Sequence, residues 1–401
     1  MAWALEQAGG MEPRTSLYNL SREEMESFVV SLGQPRFRAK QLWGWLYKQL
    51  ATSFDEMTNL PKPFREQLAE RATIGRPKEV AEIFSADGHT QKWLLELPDE
   101  EKIEAVLMEY ETRNTACISV QVGCAFACAF CATGRMGLVR NLEAGEIVSQ
   151  IVHVERELRQ NGQEPLTGDH ALTNIVFMGM GEPLANYNEM LKAVRILNDS
   201  DGLNIGARRM TLSTVGLVPA IRRLADEDVQ VNLAVSLHSP INEIRSELVP
   251  INRQYPVEQL IETLEYYLQK TGRRLTFEYS MINEVNDTPE QAHALGKLVR
   301  NLGVHLTHVN LIPLNPVPGS PWPASDPARI ERFVQVLRSY GVNATVRMRR
   351  GIDVAAGCGQ LYAAVEGRGR SIVQIQDYPS KEKVDAVAER RKAEMGMRNV
   401  E

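Results

Sequence analysis

The sequence predicts an α/β protein built on a parallel sheet, and three observations carry that prediction. Beyond Cys117, strand-like segments alternate with amphipathic helical ones. A β-meander pattern precedes this repeat, and a capped helical segment precedes the meander. Strands alternating with helices imply right-handed crossovers, and these build a closed or partly closed (β/α) barrel. The runner-up is a doubly wound open sheet, which periodicity alone does not separate from a barrel.

Taken in order, residues 1–19 lack sustained periodicity and are expected to form a flexible tail. Ser21 with Glu24 three residues later reads as a capping box, and apolar residues at helical spacing follow it. Residues 20–75 are therefore expected to be a small helical accessory domain. Its Arg36, Arg38 and Lys40, beside the Gln34-Pro35 turn, suit either a nucleic-acid face or a packed helical cap. Residues 76–113 alternate apolar and polar in EVAEIF, QKWLLEL and KIEAVLMEY, with Asp87-Gly88 between the first two, the pattern of a β-meander. Across 114–355 the strand candidates are CISVQV, NIVFM, RMTLS, QVNLAVS, LTFEYSM, HVNLI and NATVRM. The helical candidates include AGEIVSQIVHVERELRQ, YNEMLKAVRILN, VEQLIETLEYYLQK, PEQAHALGKLVRNL and ARIERFVQVLRSY. The segment 310–327 is too rich in proline for a helix and reads as an ordered loop. Residues 356–380 form a final segment around Cys358, and 381–401 are a tail dense in charge of both signs.

The chain has 401 residues with 45 Lys plus Arg against 51 Asp plus Glu, a net charge of −6. Global basicity is excluded as a driver of nucleic-acid binding, although local groups such as Arg135 with Arg140, Arg208 with Arg209, Arg273 with Arg274, and Arg347, Arg349 and Arg350 remain either phosphate contacts or solvated faces. No run of 18 apolar residues and no signal-peptide pattern occurs, which predicts a cytoplasmic protein without a membrane partner. Five cysteines, three of them within eight residues, do not read as a secreted disulfide framework.

Cys124-x3-Cys128-x2-Cys131 follows a strand candidate. Three thiolates at this spacing ligate three irons of a 4Fe-4S cluster and leave the fourth iron open. An open iron suits a chelating small molecule, and S-adenosylmethionine (SAM) chelates through its amino and carboxylate groups. A zinc site needs a fourth ligand, for which the nearest histidine is His153, and three buried structural cysteines are the bland alternative. Gly179, Gly181 and Glu182 follow the second strand candidate. Ser213 ends the third, Ser236 and His238 end the fourth, and Asn315 follows the sixth, so all lie at C-terminal strand ends, where (β/α) barrels build active sites.

The CAFACAFC motif resembles the signature of the radical SAM superfamily. The segments QVGCAFACAFCATG, NIVFMGMGEPLANY, RRMTLSTVGLVPAI, LAVSLHSP, LIPLNP and RGIDVAAGCGQL resemble the RlmN/Cfr family of RNA adenine methyltransferases, on its RlmN side, from about residue 20 almost to residue 380. The resemblance implies a partial (β/α) barrel of radical SAM type and SAM contacts at Gly181, Glu182, Ser213, Ser236, Leu237, His238 and Asn315. It also implies a 4Fe-4S cluster on Cys124, Cys128 and Cys131, and two SAM molecules per turnover. The family's route accounts for the remaining cysteines. Cys358 accepts a methyl group from one SAM, the radical generated from a second removes a hydrogen from it, and the carbon radical adds to the electron-poor adenine carbon. Cys117 then resolves the protein-RNA thioether by forming a disulfide with Cys358, while Glu104, aligned with the family's proton acceptor, takes the ring proton. Where many relatives read Ala-Cys-Gly around the methyl carrier, this chain reads Gly-Cys-Gly.

The implied substrate is adenosine 2503 of 23S rRNA, methylated at C2, with adenosine 37 of tRNA as a second target of some members. The implied partners are a low-potential electron donor such as flavodoxin or ferredoxin and a thiol reductant. Three rivals are a C8 methyltransferase of the antibiotic-resistance branch, a non-methylating radical SAM enzyme, which has no need of Cys117 and Cys358, and an iron-sulfur electron carrier, which needs no SAM-facing residues.

Overall fold

A computed structural model describes residues 14–166, 170–315, 317, 319–347 and 350–361. The tail expected at 1–13, the remainder of the 356–380 segment and the charged 381–401 stretch lie outside the described residues. The tail expected through residue 19 is ordered earlier than that. Strand β1 (Thr15–Ser16) pairs in parallel with β2 (Ala72–Thr73), and the turn Leu17–Asn19 buries Leu17 and Tyr18 completely. Between them lie α1 (Arg22–Ser31), α2 (Phe37–Tyr47) and α3 (Lys62–Arg71). The capping box at the head of α1 is formed, with Glu24 N donating to Ser21 Oγ at 3.3 Å and Ser21 N donating to Glu24 Oε2 at 2.7 Å. Of the basic trio, Arg36 pairs with Glu26, Lys40 lies 3.4 Å from Asp201, and Arg38 donates to Gln41 and to the Asn59 carbonyl. Trp43 Nε1 and Arg22 both bind Asp199, which docks the helical unit on the main body.

The meander strands β3 (Lys78–Phe84), β4 (Thr90–Glu96) and β5 (Lys102–Tyr110) run antiparallel, and β6 (Arg113–Cys117) continues them. The boundary expected between residues 113 and 114 thus falls inside β6, one ladder shared by meander and barrel. The expected strand CISVQV is displaced. The strand ends at Cys117, because the buried Gln150 side chain takes over the backbone of Ser119, accepting from its N at 2.9 Å and donating to its carbonyl at 2.9 Å. The chain then leaves the sheet. Strand β7 (Gln121–Gly123) pairs antiparallel with β8 (Leu138–Asn141), and the short helix α4 (Ala132–Arg135) lies between them.

The alternating elements follow in order: α5 (Ala144–Gln160), β9 (Asn174–Phe177), α6 (Tyr187–Asn198), β10 (Met210–Thr214), α7 (Val218–Ala225), β11 (Asn232–Ser236), α8 (Asn242–Leu248), α9 (Val257–Thr271), β12 (Leu275–Met281), α10 (Pro289–Leu302), β13 (Thr307–Pro313), α11 (Pro327–Ser339) and β14 (Ala344–Val346). The short helices α7 and α8 were not among the helical expectations. One ten-stranded sheet has the order β14-β13-β12-β11-β10-β9-β6-β5-β4-β3, parallel from β6 to β14. Its order never reverses, so the sheet has no switch point and the doubly wound alternative falls. The sheet does not close, yet it curls. Tyr110 on β5 and Thr115 on β6 line the same cleft as Thr345 on the edge strand β14 and Arg347 just after it, and Arg350 Nη1 donates to the Glu109 carbonyl at 3.0 Å.

Strand alternation sorts the two faces. Phe177, Leu212, Leu233, Phe277 and Leu311 turn into the apolar core, and each such burial stabilises by about 1.5–3 kcal/mol. The intervening Val176, Thr211, Thr276 and Asn310 face the cleft. Ser213, Glu278 and Ile312, two residues further along their strands, therefore share the cleft face at its C-terminal end. Among the described residues no helix is long and apolar enough to cross a membrane.

Candidate active site

The cysteine loop is shaped by backbone contacts. Cys124 N donates to the Gly137 carbonyl at 3.0 Å, Ala129 N to Leu248, Cys131 N to Cys128 and Ala132 N to Gly359 at 2.7 Å. Gly123 has φ +76°, and a Cβ there would land 1.8 Å from the Gly137 oxygen, so only glycine fits the entry to the loop. All three thiols line one cavity. Burial pushes Cys124 up to about 12 and Cys128 well above the usual thiol range, the latter reinforced by Cys131 and Cys124; burial likewise raises Cys131. Crowded buried thiols ionise when a cationic iron centre binds them, so this donor set fits a cluster.

The same cavity is lined by Gly179, Gly181, Glu182, Ser213, Ser236 and His238. A Cβ on Gly179 would meet the Ile118 carbonyl at 2.6 Å, and Gly181 (φ +95°) packs against Gln121. Glu182 accepts from Leu184 N at 3.0 Å and from Val215 N at 2.9 Å, while burial pushes it up to about 7. A cationic amino group beside it would return it to the carboxylate. His238 Nδ1 accepts from Ser280 N at 2.9 Å, which leaves Nε2 as the protonated nitrogen. Burial, then the Arg245 charge, push its pKa down to about 3. Two members of the expected SAM set lie elsewhere. Leu237 is fully buried between its cavity-lining neighbours and is not among the residues that line the cavity. Asn315 lines an adjoining cavity, where its Nδ2 donates to the Cys358 carbonyl at 3.1 Å and its buried Oδ1 has no partner among the described residues.

That adjoining cavity also holds Cys117, Met108, Tyr110, Arg347 and Cys358. Cys358 lines both cavities, on a segment fixed by Gln360 Oε1 accepting from Gly357 N and by Thr133 Oγ1 donating to the Leu361 carbonyl. Cys117 ends β6. Burial, then Cys358, push it up to about 12. Glu104 is not among the residues lining this cavity. Cys117 pairs with Val106, so Glu104 lies one pleat further toward the C-terminal end of β6 on the same face. It is buried, not surface-exposed as a lone strand glutamate would read, and Lys92 Nζ holds it at 2.9 Å while also donating to the Ala355 carbonyl at 3.3 Å.

Two residues, Arg245 and Glu278, escaped the sequence reading as site components, and a third, Arg347, is read there only as a phosphate contact or a solvated face. Arg245 is fully buried and donates to the carbonyls of Val215 and Ser236 and to Asn252, tying the ends of β10 and β11 together beside Cys128. Glu278 faces the cysteine cavity on β12, accepting from Asn310 at 3.0 Å. Arg347 stands in the adjoining cavity, its charge favoured by Cys358 and then Glu278. No motif marks Arg245 or Glu278, and the short helix that carries Arg245 is itself absent from the sequence expectations. Arg245→Met leaves those three acceptors unpaired and is expected to cost about 3 kcal/mol, read as a lower thermal midpoint with reduced iron content.

Comparison with known proteins gives two family matches: residues 15–74 to the ribosomal RNA large subunit methyltransferase N-terminal domain and residues 118–295 to the radical SAM superfamily. The chain is 48% identical over 341 residues to a probable dual-specificity RNA methyltransferase RlmN of Dictyoglomus thermophilum, covering 85% of this chain and 94% of that one. It is 45% identical over 361 residues to the ribosomal RNA large subunit methyltransferase N of Nitrosopumilus maritimus, covering 88% and 100%. A crystal structure of a radical SAM methyltransferase from Sphaerobacter thermophilus superposes with a TM-score of 0.83 at 50% identity, covering 87% of this chain and all of that one.

Proposed function

Because this chain belongs to the RlmN family of radical SAM RNA methyltransferases, we propose that it methylates C2 of adenosine 2503 in 23S rRNA, and adenosine 37 in tRNA, through a methyl group carried on Cys358. Enzymes of this family use a 4Fe-4S cluster and two SAM molecules per turnover. In this reading Cys124, Cys128 and Cys131 hold the cluster, and Gly181, Glu182, Ser213, Ser236 and His238, with the backbone at Leu237 and the amide of Asn315, hold SAM. Bound there, these groups supply a methyl donor and, on reduction, a hydrogen-abstracting radical.

The observation that carries the proposal is the position of Cys358, whose residue lines the cavity of the three cysteines and the cavity of Cys117 alike. Its thiol takes the methyl group on one side and presents it to an extruded adenine on the other. Once the methyl carbon is bonded to the ring, the radical adduct gives up the ring proton and one electron, which returns to the electron-transfer centre that supplied it, and Cys117 then attacks the Cys358 sulfur of the resulting closed-shell thioether. The S–S bond forms as the S–C bond breaks, and the electron pair passes to the former methyl carbon, which takes a proton. Glu104, steadied by Lys92, is the base for the ring proton. A thiol reductant reopens the disulfide and a low-potential donor such as flavodoxin or ferredoxin supplies the electron, conditions of the cytoplasm.

The test is the mass of the Cys358 peptide from protein purified without oxygen. One extra methyl group is expected on wild-type Cys358 and none in Cys124→Ala. A bare Cys358 in protein with an intact cluster, after incubation with SAM and reductant, would overturn the proposal.

A further inference from the structure

We propose that Glu79, His153 and Glu157, none of which lines the cysteine cavity, form a binding site for a divalent transition-metal ion, zinc by ligand type. One donor atom from each of the three lies within 4.8 Å of the other two. His153 and Glu157 are four residues apart on α5 and so share one helix face, while Glu79 comes from the edge strand β3. Sequence reading weighs His153 as a fourth ligand for the cysteines. In the fold it turns to Glu79 and Trp93 instead.

The imidazole is the observation that points to a ligand. Its side chain is only 8% exposed, and Nε2 has no hydrogen-bond partner among the described residues. The nearest acidic oxygen, Glu79 Oε2, is 3.6 Å away, too far for a hydrogen bond. Two donors each about 2.1 Å from a tetrahedral zinc ion lie about 3.4 Å apart, so this spacing suits joint ligation. Trp93 packs edge-on against the ring at 5.2 Å and fixes its orientation, as outer groups do around metal-binding histidines.

Charge points the same way. Arg156 and Arg76 are the cationic neighbours of the ring. Burial raises Glu79, with Glu82 adding to it, and burial raises Glu157, with Glu79 and Glu82 adding. A cation relieves that crowding of carboxylates. The arginines oppose it in part, although Arg156 is directed away, donating to the Leu50 carbonyl at 3.0 Å. One nitrogen and two carboxylates match zinc better than magnesium or calcium, which favour all-oxygen shells. The ion would clip the edge strand of the meander to the first long helix of the barrel.

The test is equilibrium dialysis of the full-length, cluster-loaded protein against zinc chloride without oxygen, with zinc and iron counted per chain and the zinc shell read by X-ray absorption. One zinc per chain is expected, bound through nitrogen and oxygen at about 2.0–2.2 Å. Binding should weaken at least tenfold in His153→Ala and in Glu157→Gln while iron content stays at the wild-type level. Should His153→Ala lose iron as well, Glu157→Gln decides alone. Undiminished binding in Glu157→Gln, no zinc in the wild type, or sulfur scattering at about 2.3 Å would each overturn the site.

Discussion

Cys117→Ala is expected to accumulate as a covalent protein-RNA species and to lose multiple turnover by several orders of magnitude. Cys117 lines the cavity that also holds Cys358, and with it gone no other described cysteine outside the 124–131 loop can attack the Cys358 sulfur. The thioether between Cys358 and the adenine then has no exit. Protein expressed in cells and purified under denaturing conditions should carry RNA that nuclease trims to a short oligonucleotide on the Cys358 peptide. Free, unmodified Cys358 in that variant would refute the resolving role of Cys117. Full turnover would move the role to another thiol.

Gly181→Ala is expected to weaken SAM binding by about a hundredfold while leaving iron content intact. Gly181 has φ +95°, and its new Cβ would stand 2.5 Å from the Gln121 Cβ. A backbone forced into such a region costs about 1–3 kcal/mol, and 3 kcal/mol is about a hundredfold in affinity. The contact matters because Gln121 Oε1 accepts from Glu182 N at 2.8 Å, and Gln121 Nε2 donates to Asn141 at 2.7 Å. Pushing Gln121 aside therefore moves Glu182, the buried carboxylate of the cavity. Equilibrium binding of SAM to the cluster-loaded variant measures the effect. An unchanged affinity would show that the turn does not contribute to SAM binding.

Much of the site was legible in the chain, because ligand spacing and strand-end position are local properties. Cys124, Cys128 and Cys131 sit within one loop. The other candidates follow strands whose alternation could be read, so Gly181, Glu182, Ser213, Ser236 and His238 were expected at one end of the sheet and line one cavity. Leu237 is carried with them by motif, yet its side chain packs in the core, since the chain leaves the strand after Ser236 and turns through the left-handed His238. The burial of Glu104 is not legible in the sequence, since nothing near it announces that Lys92 arrives from the adjacent strand to pair with it.

What the sequence by itself determined was the class of fold, the order of its main elements, the capping of the first helix and the grouping of three cysteines in one loop, each set by residues within a few positions of one another. Only the tertiary structure decided that the meander and the barrel are one sheet, that the first barrel strand stops at Cys117, and that Cys358 touches two cavities. Those outcomes depend on partners far along the chain: Val176 beside Cys117, Gln150 on Ser119, Asn315 on Cys358. A side chain's period reveals which face it occupies, but a hydrogen bond between residues 30 or more positions apart exists only once the chain has folded to bring them together.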